Sequence, residues 1–204
     1  MAQVTLRDHS ARAAGRVARG ERPRRKDVGL LGVGFFIVSE STFFLGLFLA
    51  WFFTRNTSNV WPPAGVAPPP IAPAIFNTVV ALLSTVAVFF AERALARDDR
   101  QGLVRGIALA GALGVLFMAV QSAEFTDLAT LAQGSAYGST FTFLLLFHVA
   151  RVFAGVVLMG VVLVRALLGH FSRKRRLLVQ ATAMYWYFIT GVWLVVFAVL
   201  YLIG

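Results

Sequence analysis

Five apolar runs divide the chain: Val28 to Thr54, Ile71 to Leu95, Leu103 to Ala123, Gly138 to Val164 and Leu177 to Ile203. A helix needs about 20 apolar residues to cross a hydrocarbon core of about 30 Å, and every run reaches that length. The pattern predicts an all-α, polytopic membrane protein with five transmembrane helices. Four polar stretches connect them: a Pro-rich loop (Asn56 to Pro70), a charged turn (Glu92 to Arg105), a Gly- and Ser-containing turn (Phe125 to Tyr137) and a basic turn (Arg165 to Arg176). No internal repeat is visible. The predicted organisation is a basic tail, 1–27, followed by a five-helix bundle, 28–204.

One carboxylate, Glu40, interrupts the first run near its middle, about 18 Å from Val28 at ~1.5 Å per residue. An acid at that depth costs on the order of 3 kcal/mol on insertion scales unless it is protonated, paired or turned into protein. Measured from the opposite face, Glu40 lies roughly 21 Å down, His148 roughly 15 Å and Arg151 roughly 20 Å. His148 and Arg151 are three apart and share a helix face. Tyr187 and Thr190, also three apart, reach mid-depth on the last helix. The expected buried cluster is therefore Glu40, His148, Arg151, Tyr187 and Thr190, with Arg151 paired to Glu40 and His148 or Tyr187 completing the hydrogen bonds. Mutual neutralisation and a transport or proton role both remain open for it. Glu92 reads as a surface partner of Arg93, and Glu124 and Asp127 read as solvated. Gly102, Gly106, Ala110 and Gly114, four apart, form a stripe against which another helix can pack closely.

Composition agrees: 58% of the 204 residues are hydrophobic, 14% are charged and mean hydropathy is +0.76. These values exclude an ordinary soluble domain. A net charge of +10 would suggest nucleic acid in a soluble protein. Here the basic residues lie between apolar runs, as topology signals and headgroup contacts, so no nucleic-acid partner is expected. Of the 19 Lys and Arg, 17 fall in the tail, the charged turn and the basic turn; Arg55 alone lies on the other side, and Arg151 is within a span. That asymmetry predicts a cytoplasmic N-terminus and an outer C-terminus. The first run is long, bulky and followed by no small-residue cleavage site, so it reads as a retained helix rather than a signal peptide. An Arg-rich transit peptide stays open for the tail, although its three acids, Asp8, Glu21 and Asp27, count against it.

The outer loop carries Trp61-Pro62-Pro63-Ala64-Gly65 and Pro68-Pro69-Pro70, a stiff polyproline stretch. Trp61, Pro62 and Pro63 read either as an interfacial cap or as a docking surface for a partner subunit. Cysteine is absent, and of three His only His148 is within a span; His9 is in the tail and His170 in the basic turn. Intramembrane haem or copper ligation needs several facing His, Met or Cys ligands. The residues also offer no Walker loop, nucleophile elbow or zinc-binding His-Glu-x-x-His. On this reading the chain is a non-catalytic subunit of a larger assembly.

The motifs, in order, resemble subunit III of the haem-copper terminal oxidases, most closely the cytochrome c oxidase type. Ser39-Glu40, Phe43-Phe44 and Ala50-Trp51 resemble the family's acid-bearing helix, and Trp61-Pro62-Pro63-Ala64-Gly65 with Asn77-Thr78 its Pro-rich loop and following helix. Gln121, Glu124 and Phe125 resemble its Gln-x-x-Glu-aromatic stretch. Tyr137-Gly138-Ser139-Thr140-Phe141 with Phe147-His148, and then Tyr185-Trp186, Phe188 and Trp193, resemble its last two helices. The resemblance runs from about Val28 to the C-terminus. It departs where Arg151 replaces a second His and where Tyr187 and Thr190 replace a His and an Asp. Two further N-terminal helices of longer members, which form a lipid-holding cleft, have no counterpart here.

The resemblance implies a five-helix bundle without redox centres, flanking a catalytic subunit I in which haem and copper reduce oxygen to water while protons are pumped. A copper-bearing subunit II, bound phospholipid, and cytochrome c or another respiratory complex are the further partners it implies. The implied location is a bacterial cytoplasmic membrane. The implied role is to hold lipid, stabilise the catalytic subunit and sustain proton uptake. An accessory subunit of a quinol oxidase or nitric oxide reductase, and, from a different class, a small membrane transporter, remain alternatives.

Overall fold

Each apolar run forms one long helix: α1 Arg25–Thr57, α2 Ile71–Ala96, α3 Arg100–Leu131, α4 Ala136–Leu167 and α5 Leu177–Phe197, the last continuing into a π-helical turn at Ala198–Leu202. The computed structural model describes residues 25–64, 66, 69–131, 135–172 and 175–203, with backbone alone at 25–27 and 124–131. Met1 to Arg24 with His9, Gly65, Pro68, Arg173, Lys174 and the side chains of Glu124 and Asp127 lie outside the described residues. No strand occurs among the described residues. α1 begins at Arg25, within the stretch expected as tail, and α3 and α4 extend beyond their apolar runs.

The helix ends follow local chemistry. Pro70, with φ −65° and extended ψ, precedes α2, and Pro73 falls in its first turn, where the missing N–H costs no hydrogen bond. Ser135 caps α4 by accepting from the Gly138 N–H at 3.0 Å. At the other end of α4, Gly169 takes φ +74°, a left-handed conformation suited to glycine. Arg100 then donates from Nε to the Ala166 carbonyl at 2.9 Å and from Nη2 to that of Leu167, satisfying carbonyls the helix leaves free. Within the spans, hydroxyls such as those of Ser41, Thr42, Thr78 and Ser122 donate to the carbonyl four residues back. This leaves them tolerable in hydrocarbon.

Helices α2 to α5 close into a ring, α2 on α3, α3 on α4, α4 on α5 and α5 back on α2, with the longest interface between α2 and α3. The small-residue stripe on α3 explains that interface. A Cβ on Gly106 would sit 2.7 Å from Ala91 Cβ and 3.0 Å from the Ala87 carbonyl, so the two backbones approach as closely as glycine and alanine allow. Farther along, Gly114 turns instead towards Val156 of α4 and Trp186 of α5. Helix α1 lies outside the ring, packed on α4 and α5. Among its described side chains, only Glu40, Phe44 and Trp51 are buried, a single narrow stripe, whereas Phe35 is 74% and Phe53 71% exposed. Such an apolar outer surface faces lipid or partner without cost, because hydrocarbon exerts no hydrophobic pressure between helices.

Candidate functional site

Helical periodicity decides where each mid-depth polar group goes. On α4, His148, Val152, Gly155 and Met159 line the face turned to the ring's centre. Arg151 is displaced by about 60° from His148 around a helix of 3.6 residues per turn, which aims it at the seam where α1 docks. There its Nε donates to Oε2 of Glu40, closing an ion pair between α4 and α1. The pair is not sealed: the Arg151 side chain is 29% and that of Glu40 11% exposed. Phe43, one turn along α1, brings its ring centroid within 5.9 Å of the guanidinium carbon, a weak cation–π contact. Across the seam, the Tyr185 hydroxyl donates to the Arg151 backbone carbonyl at 3.2 Å, and its ring meets Phe36 at 5.9 Å. Two charges in hydrocarbon thus satisfy one another, and α5 fixes the backbone that carries one of them.

The other members of the expected cluster lie elsewhere, which corrects that expectation. His148 is 1% exposed and sits among aromatic rings: Trp193 at 5.3 Å, Phe117 at 5.8 Å and Phe44 at 6.5 Å between centroids. It does not bond Glu40 or Arg151, because it points inward while they meet at the rim. Tyr187 donates to Glu92 Oε2 of α2 at 2.7 Å. It is two residues from Tyr185, about 200° around the helix, so it faces the opposite neighbour. Thr190 shares a 2.8 Å hydrogen bond with Thr85, also on α2. Glu92 is likewise not an ion-pair partner of Arg93, whose guanidinium lies 4.4 Å over the Phe89 ring instead.

A polar seam joins the interior from α2 outwards, and sequence reasoning gave it no role. Asn77 Nδ2 donates to Gln121 Oε1 at 3.2 Å, Ser84 donates to the Ala110 carbonyl at 3.0 Å, and Trp193 Nε1 donates to Thr78 Oγ1 at 3.0 Å. Asn77 and Gln121, both fully buried, were visible as apolar-run interruptions. Their partnership needed the helix pairing to be known. At the end of the bundle closed by the Pro-rich loop, Trp61 folds inward, its ring 4.9 Å from both Trp51 and Tyr137. Pro62 and Pro63 stay half-buried beside it, so this part of the loop packs as a plug between α1 and α4. Among the described residues, no three His, Asp or Glu side chains converge as a metal site would require.

Comparison with known proteins adds a second line. The family model of cytochrome c oxidase subunit III matches residues 16–204. A cytochrome c oxidase subunit 3 from Sus scrofa is 32% identical over 176 residues, covering 83% of this chain and 67% of the relative. One from the cyanobacterium Synechocystis is 32% identical over 178 residues, covering 87% and 76%. One from Scyliorhinus canicula is 34% identical over 176 residues, covering 83% and 67%.

Proposed function

The chain belongs to the cytochrome c oxidase subunit III family, and from that premise we propose how it serves its complex. It is a subunit III of a haem-copper oxidase, a multi-pass membrane component of an oxidoreductase assembly. In our reading it flanks a catalytic subunit I, with a copper-bearing subunit II in the same complex. Haem and copper, held by those partners, carry electrons from cytochrome c to oxygen while protons are pumped. This chain contributes no redox ligand. It supplies a rigid ring, α2 to α5, and a lipid- or partner-facing outer helix, α1, with phospholipid against its apolar surface.

The observation that carries this reading is the family match across nearly the whole chain, together with a bundle whose mid-depth charges neutralise each other instead of lining a path. A transporter would place them along a water-filled cavity. We further assign the chain to a bacterial cytoplasmic membrane, N-terminus inside, on the distribution of Lys and Arg.

Affinity purification of the tagged chain in mild detergent tests the reading. The expected product carries haem absorption, copper and two larger partner chains, and consumes oxygen with reduced cytochrome c. Oxidation of quinol in place of cytochrome c would reassign the electron donor. A chain that emerges alone and colourless, and transports a solute in vesicles, would overturn the assignment.

A further inference from the structure

At the centre of the ring, α2 to α5 enclose a cavity of about 10 Å³, lined by Ser84, Phe117, His148, Trp186, Thr190 and Trp193 among others. Two lining side chains carry buried polar atoms that no group of the described chain satisfies: both ring nitrogens of His148 and Nε1 of Trp186. Buried polar side chains nearly always have a hydrogen-bond partner. Leaving one unmade costs on the order of 1–3 kcal/mol, and hydrocarbon beyond the ring offers nothing. A space of roughly 10–15 Å³ with two to four polar partners is what a single buried water requires. The cavity has the volume for one water, and four of its lining residues, Ser84, His148, Trp186 and Thr190, carry side-chain groups able to hydrogen-bond it.

We infer that this cavity is a binding site for one structural water, which ties α4 to α5 and α2 at the core of the bundle. The donors and acceptors balance. Trp186 Nε1–H can only donate, so the water accepts from it. Its two hydrogens go to the unprotonated nitrogen of His148 and to a hydroxyl oxygen: Ser84 Oγ, whose own hydrogen is given to the Ala110 carbonyl, or Thr190 Oγ1, engaged with Thr85. The imidazole meets the Phe117 ring edge-on, 5.8 Å between centroids and 69° between planes, a geometry in which its remaining N–H can make an N–H to π contact, a weak but real substitute. In this arrangement His148 acts neither as a metal ligand nor as a member of the Glu40–Arg151 pair. It is the acceptor that gives the water a fixed place.

The test is a density map of the intact oxidase complex at about 2 Å or better, where ordered waters are visible. An isolated peak within hydrogen-bonding distance of a His148 ring nitrogen and of Trp186 Nε1 is expected. A dry cavity, or a peak that reaches only one of the two, overturns the inference. Trp186→Phe keeps most of the ring and deletes the donor, and in its map the peak should vanish or lose most of its occupancy. A peak unchanged in that variant shows that Trp186 does not hold the water, which also overturns the bridge. If Trp186→Phe fails to assemble, a His148→Leu complex provides the same comparison from the other side.

Discussion

Arg151 of α4 holds Glu40 of α1 through its Nε, and this pair is the one charged contact described between the outer helix and the ring. α1 otherwise rests on ring contacts of Phe36, Phe43, Phe44 and Trp51, Phe43 also lying under the Arg151 guanidinium. Its attachment should therefore depend on charge balance at the pair. Removing Glu40 alone, as Glu40→Gln, strands a guanidinium that remains charged under nearly all conditions. Breaking a buried pair this way typically costs about 3 to 5 kcal/mol. With part of the guanidinium exposed at the rim, the lower end of that range is expected. The double change Glu40→Gln with Arg151→Met should recover much of the loss, because a neutral, volume-filling pair can replace buried ions at little cost. Yield and thermal stability of the assembled complex across the four-member cycle measure the coupling, and strictly additive losses would show that the contact contributes nothing.

Tyr187 and Tyr185 separate two faces of α5 and should behave differently on losing their hydroxyls. Tyr187→Phe breaks a bond to the Glu92 carboxylate, and hydrogen bonds to charged groups contribute about 1.5–3 kcal/mol. Tyr185→Phe breaks a longer bond to a backbone carbonyl, in the usual class of about 0.5–1.5 kcal/mol. Thermal unfolding of the purified complexes should rank Tyr187→Phe as the more damaging change. Glu92→Gln should be milder than Tyr187→Phe, since the amide can still accept through its oxygen.

The spans were legible in the sequence because a membrane imposes a length that apolar runs must meet, and every run met it. Facing was less legible. In lipid, inward and outward positions are both apolar, so hydropathy does not distinguish Phe44, buried, from Phe35, almost bare. Depth alone placed Glu40 near Arg151, and the structure joins them. Depth could not show that His148, about 60° around the helix from Arg151, points into the ring, or that Tyr187 faces α2 while Tyr185 faces α4. Those outcomes depend on which helices are neighbours, and ring order is a tertiary property. Trp61 was legible differently: an aromatic in a Pro-rich loop suggests a headgroup anchor or docking knob, and its packing on Trp51 and Tyr137 needed the tertiary structure.

Orientation rests on the basic residues, and reporter fusions to truncated chains can test it. A cytoplasm-active reporter after Arg100 or after Lys174 should be active, and an export-dependent one silent. After Gly65 or Gly134 the pattern should reverse. Full-length fusions at Gly204 should behave as outer. A reporter at Gly204 active in the cytoplasm would require either an even number of crossings or an inverted bundle.

Trp186 of α5 packs against α3 and α4, and two glycines make room for it. A Cβ on Gly155 of α4 would lie 2.7 and 2.8 Å from Cζ3 and Cε3 of the Trp186 ring, while one on Gly160, five residues along the same helix, would meet nothing within 4 Å. The two positions form a matched comparison, since both substitutions gain the same helix propensity relative to glycine, about 0.8–1.0 kcal/mol. Gly160→Ala should therefore be neutral or slightly stabilising. At Gly155 the added methyl runs into a rigid indole already held by Gly114 on its other side, so the gain is overtaken by overpacking, which typically costs about 1–3 kcal/mol. Gly155→Ala should lower the thermal midpoint of the complex relative to Gly160→Ala. Combining Gly155→Ala with Trp186→Phe replaces the indole by a smaller ring that reaches less far towards the methyl, so the double variant should lose less than the two single losses added together. Simple additivity would mean that the methyl is accommodated by movement of α4 rather than by pressure on the indole, and that the close approach of α4 to α5 does not depend on glycine.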